Sequence, residues 1–312
     1  MNNLCIDIGG TKIKGGIFSG TDLIASRTLS SDRAGNFSST LSSVELLSGK
    51  LAAEASVKKI HNIGISIPGI VDVKKNRIIS INKKHAGAEK FNFNRWATKN
   101  FKARLTMEND ARAALTGEWQ SGAGKGYNNI VMITLGTGVG GAAMIGGELL
   151  YGKHYQAGCL GGHFTVNYNG DVCTCGNIGC VEAEASSWKL KQLAKRYPDL
   201  QPAQGDSQFD FHLLFRFYKE GNATAKDIIE HCLKVWSAGI ISMIHAYDPE
   251  LVIVGGGIMK SRSIIIPYIR EWAEKFAWTP SEKVKIVAAR SSDVAALYGL
   301  NYLIGKNSKK KR

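Results

Sequence analysis

With 312 residues, 44% of them hydrophobic, the chain holds enough apolar material for substantial cores and divides more naturally into two domains than one. Its net charge of +14 falls to +9 without Lys306, Lys309, Lys310, Lys311 and Arg312, and the other basic residues are scattered. That pattern argues against nucleic acid as a partner and for a solvated surface that favours anionic substrates, with the basic tail itself frayed.

The opening MNNLCIDIGG has neither a basic n-region nor a long apolar stretch, so no export is expected, and residues 3–18 predict a strand (LCIDI), a turn (GGTK) and a returning strand (IKGGIF). A helical stretch follows around 39–57, then a strand at 60–67 ending in Pro68-Gly69, and a polar, Lys-rich loop from about 72 to 92. Asn109 and Asp110 precede the helical pattern ARAALTGEW and so stand at a strand-to-helix junction, where they either serve chemistry or cap the helix. A second hairpin, NIVMITL, GTGVGG and AAMIGG, spans 129–146 and repeats the plan of the first, which predicts two related halves. Residues 152–180 are rich in Gly and Cys and read as loop. Helices dominate from there to about 247, the longest over 223–247 and stopped by Asp248-Pro249. The strand LVIV then opens into Gly255, Gly256 and Gly257, and a helix around 292–304 closes the chain. The greasiest stretches are interrupted by Gly, His, Asp or Pro, so no membrane span is expected and the protein is read as cytoplasmic.

Phosphates need backbone N–H donors brought close without Cβ obstruction, which glycine-rich turns supply. Any one of the three loops, at Gly9-Gly10-Thr11-Lys12, Gly136-Thr137-Gly138 and Gly255-Gly256-Gly257, is also what an ordinary turn looks like; together they form a set. No GxxxxGK[ST] occurs, and the GxGxxG at 136–141 runs into a strand rather than a helix, which removes the P-loop and the dinucleotide fingerprint. Asp7, a carboxylate between Ile6 and Ile8, is costly to bury unpaired and is expected to face a wet cleft. There it could orient the hydrated Mg²⁺ that accompanies ATP.

Six cysteines in a chain of this kind argue against a disulfide framework. His163, Cys173, Cys175 and Cys180 have the spacing H-x9-C-x-C-x4-C, a full tetrahedral Cys₃His set of the kind that describes a structural Zn²⁺. Cys5, Cys159 and Cys232 carry no such pattern and are read as buried small hydrophobes.

Taken together, DIGGTK at 7–12, IPG at 67–69, Glu108-Asn109-Asp110-Ala111, LGTGVGG at 135–141, Gly162-His163 with the downstream CxCG-x-x-GC-x-E, and VGGG at 254–257 resemble the ROK family of sugar kinases and repressors across nearly the whole chain. The resemblance implies an α/β, two-lobed actin-like (RNase H-like) ATPase fold with central mixed sheets and an interlobe cleft. Its lobes would be 1–117, with 293–312 returning to it, and 118–292, carrying the zinc knuckle. It implies ATP on the glycine loops, and Asp110 accepting a proton from a sugar hydroxyl as the γ-phosphoryl is attacked. Sugar contacts are implied for Gly69, Asn109, Asp110, His163 and Glu182, although Glu182 could instead lie exposed on the helix that begins VEAEAS. A homo-oligomer, dimer or tetramer, is implied as well.

Two departures bear on the substrate. The family commonly places Glu three residues before the motif histidine, where this chain has Leu160, and the loop Ile81-Asn82-Lys83-Lys84-His85 is unusually basic. The competing readings are a sugar-responsive repressor, against which stands the lack of a winged-helix segment before Asp7, and a catalytically silent sugar sensor, against which stands the intact Asp110.

Overall fold

The computed structural model describes residues 1–30, 37–81, 85–194, 200, 209–291 and 293–309; Lys310, Lys311 and Arg312 of the basic tail and Asn82, Lys83 and Lys84 of the basic loop lie outside the described residues. The chain divides into two compact units, one of Met1–Gly126, Leu149–Cys159 and Arg290–Arg312, the other of Tyr127–Glu148 and Leu160–Ala289. The lobe boundary expected after residue 117 lies inside an unbroken helix, Asp110–Ser121, and the division comes after Gly126.

In the first unit, the mostly buried runs of β1 (Asn2–Ile8) and β2 (Lys12–Ser19) and the largely exposed edge strand β3 (Asp22–Ser30) form an antiparallel meander. Helix α1 (Phe37–Glu54) leads to β4 (Asn62–Ile67). The stretch expected as a loop from 72 to 92 instead begins with a two-stranded ribbon, β5 (Ile70–Asp72) against β6 (Arg77–Ser80). Asp72 closes its turn by accepting from the Lys74 and Lys75 N–H groups, while Val71 and Ile78 are buried. Helix α2 (Phe93–Phe101), β7 (Arg104–Asn109) and α3 (Asp110–Ser121) follow. The sheet order is β3-β2-β1-β4-β7, with β1, β4 and β7 parallel.

The second unit repeats this plan. Strands β8 (Ile130–Leu135), β9 (Val139–Ile145) and β10 (Glu148–Leu149) are followed by the loop that carries the cysteines, then α4 (Val181–Ala185), α5 (Ser187–Ala194), α6 (Phe211–Lys219) and α7 (Ala223–Tyr247). Helix α7 ends where Asp248 turns left-handed. Strand β11 (Leu251–Gly255), α8 (Arg262–Phe276) and β12 (Lys285–Ala288) complete a sheet of order β10-β9-β8-β11-β12. The correspondence between the two orders is the relation that the paired hairpins of the sequence predict.

The chain then closes with α9 (Ala295–Lys309), which starts later than the expected 292, after a turn in which the Ser291 carbonyl accepts from the Val294 and Ala295 N–H groups. Both faces of the first sheet are covered, as parallel strands require. Leu4, Ile6, Ile8, Ile13 and Ile17 face α1 and α2, whereas Cys5 and Phe18 face Ala113 of α3 and Leu297, Leu300 and Ile304 of α9. Asp7 follows Cys5 by two residues and so lies on the α3/α9 side. Across the parallel strands Asp7 is in register with Ser66 on β4, and Ser66 with Glu108 on β7. The register thus lines up three polar side chains at the carboxyl ends of adjacent strands, where α/β sheets place their ligands. No helix among the described residues is long and apolar enough to cross a membrane.

Candidate active site

In the first unit, β7 and α3 meet at Asn109 and Asp110. Asn109 is the N-cap of α3, its Oδ1 accepting from the Arg112 N–H at 3.1 Å, so the capping role is real. Its amide has two further tasks, donating to the Gly69 carbonyl at 3.0 Å and to Asp110 Oδ1 at 3.1 Å. Asp110 Oδ1 also accepts from the Ala111 N–H at 2.9 Å, which fixes the carboxylate at the first turn of the helix. Gly69 is in the left-handed region at φ 102°, and a Cβ there would stand 2.4 Å from the Ser80 carbonyl oxygen. Glycine is therefore what lets the β4–β5 turn present its carbonyl to Asn109.

Asp7 on β1 accepts from the Ser66 hydroxyl at 2.8 Å. Burial pushes the Asp7 carboxyl above the usual range, opposed by that hydroxyl and by the Lys14 ammonium. Asp110 is raised to about 6, first by burial and then by the negative charge of Asp7, against the hydrogen bonds from the Ala111 N–H and the Asn109 amide. A carboxylate with that pKa is ionised near neutrality yet basic enough to take a proton from a hydroxyl as it is attacked.

Two residues with strong positioning roles had no role assigned from sequence. Glu108 is buried and accepts from the Tyr151 hydroxyl at 2.6 Å and from the Asn109 N–H at 2.8 Å. Arg112 is fully buried, 3.8 Å from Glu108 and 4.7 Å over the Tyr151 ring, and its Nη2 donates to the carbonyls of Leu150, Tyr155 and Ala157. The pair binds residues 149–159 to the base of Asp110. Its sequence signal is a charge among the small apolar residues of ARAAL, which helical periodicity alone would assign to either face.

In the second unit, the loop Gly136-Thr137-Gly138 joins β8 to β9. The carbonyls of Gly136 and Thr137 accept from the Ser187 and Trp188 N–H groups at the start of α5. Glu182 on α4 is half-buried rather than exposed; its Oε2 accepts from the Val139 N–H at 2.8 Å and its Oε1 from the Thr174 hydroxyl at 3.1 Å. A Cβ on Gly138 would lie 2.3 Å from that Oε2, so the carboxylate can dock on the loop only against glycine. Gly255 ends β11, and Gly256 and Gly257 connect it to the turn Gly257–Ser261 before α8. In the first unit, Gly9, Gly10 and Thr11 form the β1–β2 turn, closed by the Gly9 N–H on the Lys12 carbonyl at 2.9 Å.

His163, Cys173, Cys175 and Cys180 converge, their ligand atoms all within 4.8 Å of one another. Cys175 and Cys180 sulfurs are 3.7 Å apart, and Cys173 Sγ is 3.5 Å from His163 Nδ1. A tetrahedron with metal–sulfur bonds of about 2.3 Å has edges of roughly 3.7 Å, so the donor set fits a four-coordinate metal. Burial and then the neighbouring thiols raise the Cys180 thiol, and burial leads the rise at Cys173, costs that a divalent cation at the centre would reverse. Short bridges, Thr165 with Cys180 and Val172 with Ile178, fold the loop around them. Leu160, in place of the family's acidic residue, is half-buried and contributes its carbonyl to the His163 N–H at 2.9 Å. Cys5, Cys159 and Cys232 are buried outside this cluster.

Two sheets of one plan, each led by a glycine-turn hairpin, make this an α/β protein of the actin-like ATPase fold. Residues 3–307 match the family model described as ROK, and the chain belongs to the ROK family. It is 28% identical over 273 residues to a glucokinase of Thermotoga maritima, covering 85% of each chain. The structure is similar to a ROK hexokinase from Thermus thermophilus, with a TM-score of 0.77, 28% identity and coverage of 98% of this chain and 100% of that one. It is also similar to a ROK family glucokinase from Streptomyces griseus in complex with glucose and AMPPNP, with a TM-score of 0.81, 26% identity and coverage of 97% and 99%.

Proposed function

We propose that this chain is an ATP:sugar phosphotransferase that phosphorylates a hexose or hexose derivative, glucose-like or an N-acetylhexosamine, at a primary hydroxyl, with Asp110 as the general base. The observation that carries the reading is the Asp110 carboxylate, oriented by Asn109 and the α3 N-terminus and raised to about 6 beside Asp7. The glucokinase and hexokinase relatives support the substrate class.

In this reading the Asp110 carboxylate takes the hydroxyl proton while the hydroxyl oxygen bonds to the γ-phosphorus and the bond to the ADP oxygen breaks. Such transfer needs positioning and charge stabilisation more than covalent help. Asn109 keeps Asp110 in place with the Gly69 turn behind it; with both amide hydrogens engaged and Oδ1 accepting from the Arg112 N–H, its second Oδ1 lone pair is what it offers a sugar hydroxyl. The glycine turns at Gly9–Lys12, Gly136–Gly138 and Gly255–Gly257 serve the nucleotide, and Asp7 is a hard oxygen donor suited to the waters of the Mg²⁺ that travels with ATP and draws charge from its phosphoryl oxygens. Zn²⁺ is the metal we assign to His163, Cys173, Cys175 and Cys180, where it holds the loop that Thr174 joins to Glu182. His163 and Glu182 keep the sugar-facing role that the family resemblance implies.

The test is ADP release with Mg·ATP over a panel of hexoses, N-acetylhexosamines, ketoses and inositols, with wild type beside Asp110→Asn. A sugar-dependent signal lost in the variant is the expected result. Silence across the panel overturns the proposal in favour of a sensor or regulator, and a sugar-dependent signal unimpaired in the variant overturns Asp110 as the general base.

A further inference from the structure

The register of the first sheet extends the polar row beyond Asp7. Lys14 on β2 is opposite Asp7, and Thr28 on β3 is opposite Lys14. Cross-strand partners share a face, so Thr28, Lys14, Asp7, Ser66 and Glu108 run in one line across all five strands. The same pairing puts Lys12 opposite Ser30 and Gly16 opposite Ser26. Lysines on β2 and hydroxyls on β3 thus make a ladder, with rungs about 7 Å apart along the strands and rails about 4.8 Å apart. Above it lies a cavity of about 400 Å³, lined by Lys12, Lys14, Ser26, Thr28 and Asp293 among others. Arg27 is also on its rim, but the side chain alternates to the other face and its Nε is held by Glu54 at 2.5 Å.

We propose that this ladder is a track for the phosphoanhydride chain of the phosphoryl donor, with Lys14 as its main cation and Thr28 and Ser26 as hydroxyl donors. The linear spacing suits a string of anionic oxygens better than a compact anion or a neutral ring. Lys14 is only 21% exposed, so its charge is focused on the cavity and on Asp7, whereas its other partner, Asp293 at 3.4 Å, is 99% exposed. An ion pair with so exposed a carboxylate is weak and yields its lysine to a polyanion. The track deepens the reading of the site as a phosphotransferase and rests on it for the donor's identity. During transfer the bond from the terminal phosphorus to its bridging oxygen breaks, the sugar oxygen bonds to that phosphorus, and its proton goes to Asp110. The shortened chain leaves with the electron pair and stays on Lys14.

The same chemistry belongs to the tail of a nucleoside triphosphate and to a free inorganic polyphosphate, and the experiment separates them. Binding of tripolyphosphate, Mg·AMPPNP, adenosine and sugar to the full chain is measured by calorimetry for wild type, Lys14→Met, Lys14→Arg, Thr28→Val and Asp293→Asn. Lys14→Met is expected to weaken tripolyphosphate and Mg·AMPPNP about 10- to 100-fold while adenosine and sugar bind as before, the loss being that of one charge-assisted contact. Lys14→Arg should recover most of that affinity, Thr28→Val should lose a few-fold, and Asp293→Asn should bind as tightly as wild type or tighter. Turnover with tripolyphosphate in place of ATP would identify a free chain as donor. Turnover with ATP alone, with a raised KM for ATP in Lys14→Met, would identify the nucleotide tail. Wild-type affinity of Lys14→Met for both phosphate ligands overturns the track, as does an equal loss for adenosine. Lys14-dependent binding of tripolyphosphate by a protein silent toward every sugar would leave the track standing and remove the sugar-kinase reading.

Discussion

Asp110 answers to two opposed demands, because the burial and the Asp7 charge that make it a base also make its ionised form costly to the fold. Its pKa of about 6 lies above the 3.8 of an ordinary aspartate, so between those values the folded chain binds more protons than the unfolded one. By linkage, stability declines as pH rises through that window, and the cost persists above it. Activity follows the opposite course, since the base must be ionised: kcat/KM should fall as pH drops through about 6, and an acid limb near 4 instead would contradict the role. Asp110→Asn removes both the base and the cost. Turnover should drop by about 10²–10⁴-fold. The melting temperature at pH 8 should be equal to that of wild type or higher; a marked loss of stability would mean that Asp110 serves the fold rather than the chemistry.

At the scale of elements, helix α3 is fixed at both ends by residues whose importance comes from what packs against them. At its start, Gly69 keeps the β4–β5 turn against Asn109. Gly69→Ala places a Cβ against the Ser80 carbonyl in a left-handed conformation, so the turn must move and Asn109 with it. A loss of kcat larger than the change in nucleotide KM is expected, and steady-state kinetics at saturating sugar would read it. Near its end, Glu118 is fully buried and accepts from the Ala123 N–H at 2.7 Å, the Arg290 N–H at 3.1 Å and the Ser291 N–H at 2.6 Å. It therefore pins both the chain leaving α3 and the chain about to enter α9. Glu118→Gln turns one acceptor into a donor facing N–H groups, with an expected cost of about 1–3 kcal/mol in denaturant unfolding. An unchanged midpoint would show that water replaces the lost acceptor.

At the scale of the whole molecule, the Cys₃His cluster belongs to the second unit and the Asp7–Asp110 pair to the first. Metal removal should therefore act locally. A strong chelator, or Cys175→Ser, is expected to lower bound zinc and to speed amide exchange over 163–182, where short bridges and a few turn hydrogen bonds hold the loop. Amides of β1, β4 and β7 should keep their protection, and exchange measured by mass spectrometry would distinguish this from global unfolding. Uniform loss of protection in both units would refute a local structural role for the metal.

Much of this was legible in the chain itself. The strand-turn-strand units at 3–18 and 129–146, the helix over 223–247 and the strand at 251–254 follow from local periodicity and from glycine, Asn and Asp punctuation, which depend only on neighbours in sequence. The zinc-type ligands and the Asn109-Asp110 junction were visible for the same reason, since their residue types and spacing are local. The β5–β6 ribbon was not, because its strands are three and four residues long and are stabilised by packing rather than by pattern. Nor were the contacts of Arg112, Glu108 and Glu118, the placement of Lys14 opposite Asp7, or the half-buried state of Glu182, since a charge in a helix or a strand carries no sign of which face it will take. Register across β3, β2, β1, β4 and β7 brings Thr28, Lys14, Asp7, Ser66 and Glu108 into one row that no local spacing connects, while the packing of α3 and α4 against neighbouring loops decides the surroundings of Arg112, Glu118 and Glu182. Sequence determined the elements and the chemistry available to them. Tertiary structure decided which charges are buried side by side, and burial in company is what shifts a carboxylate into the range of a base.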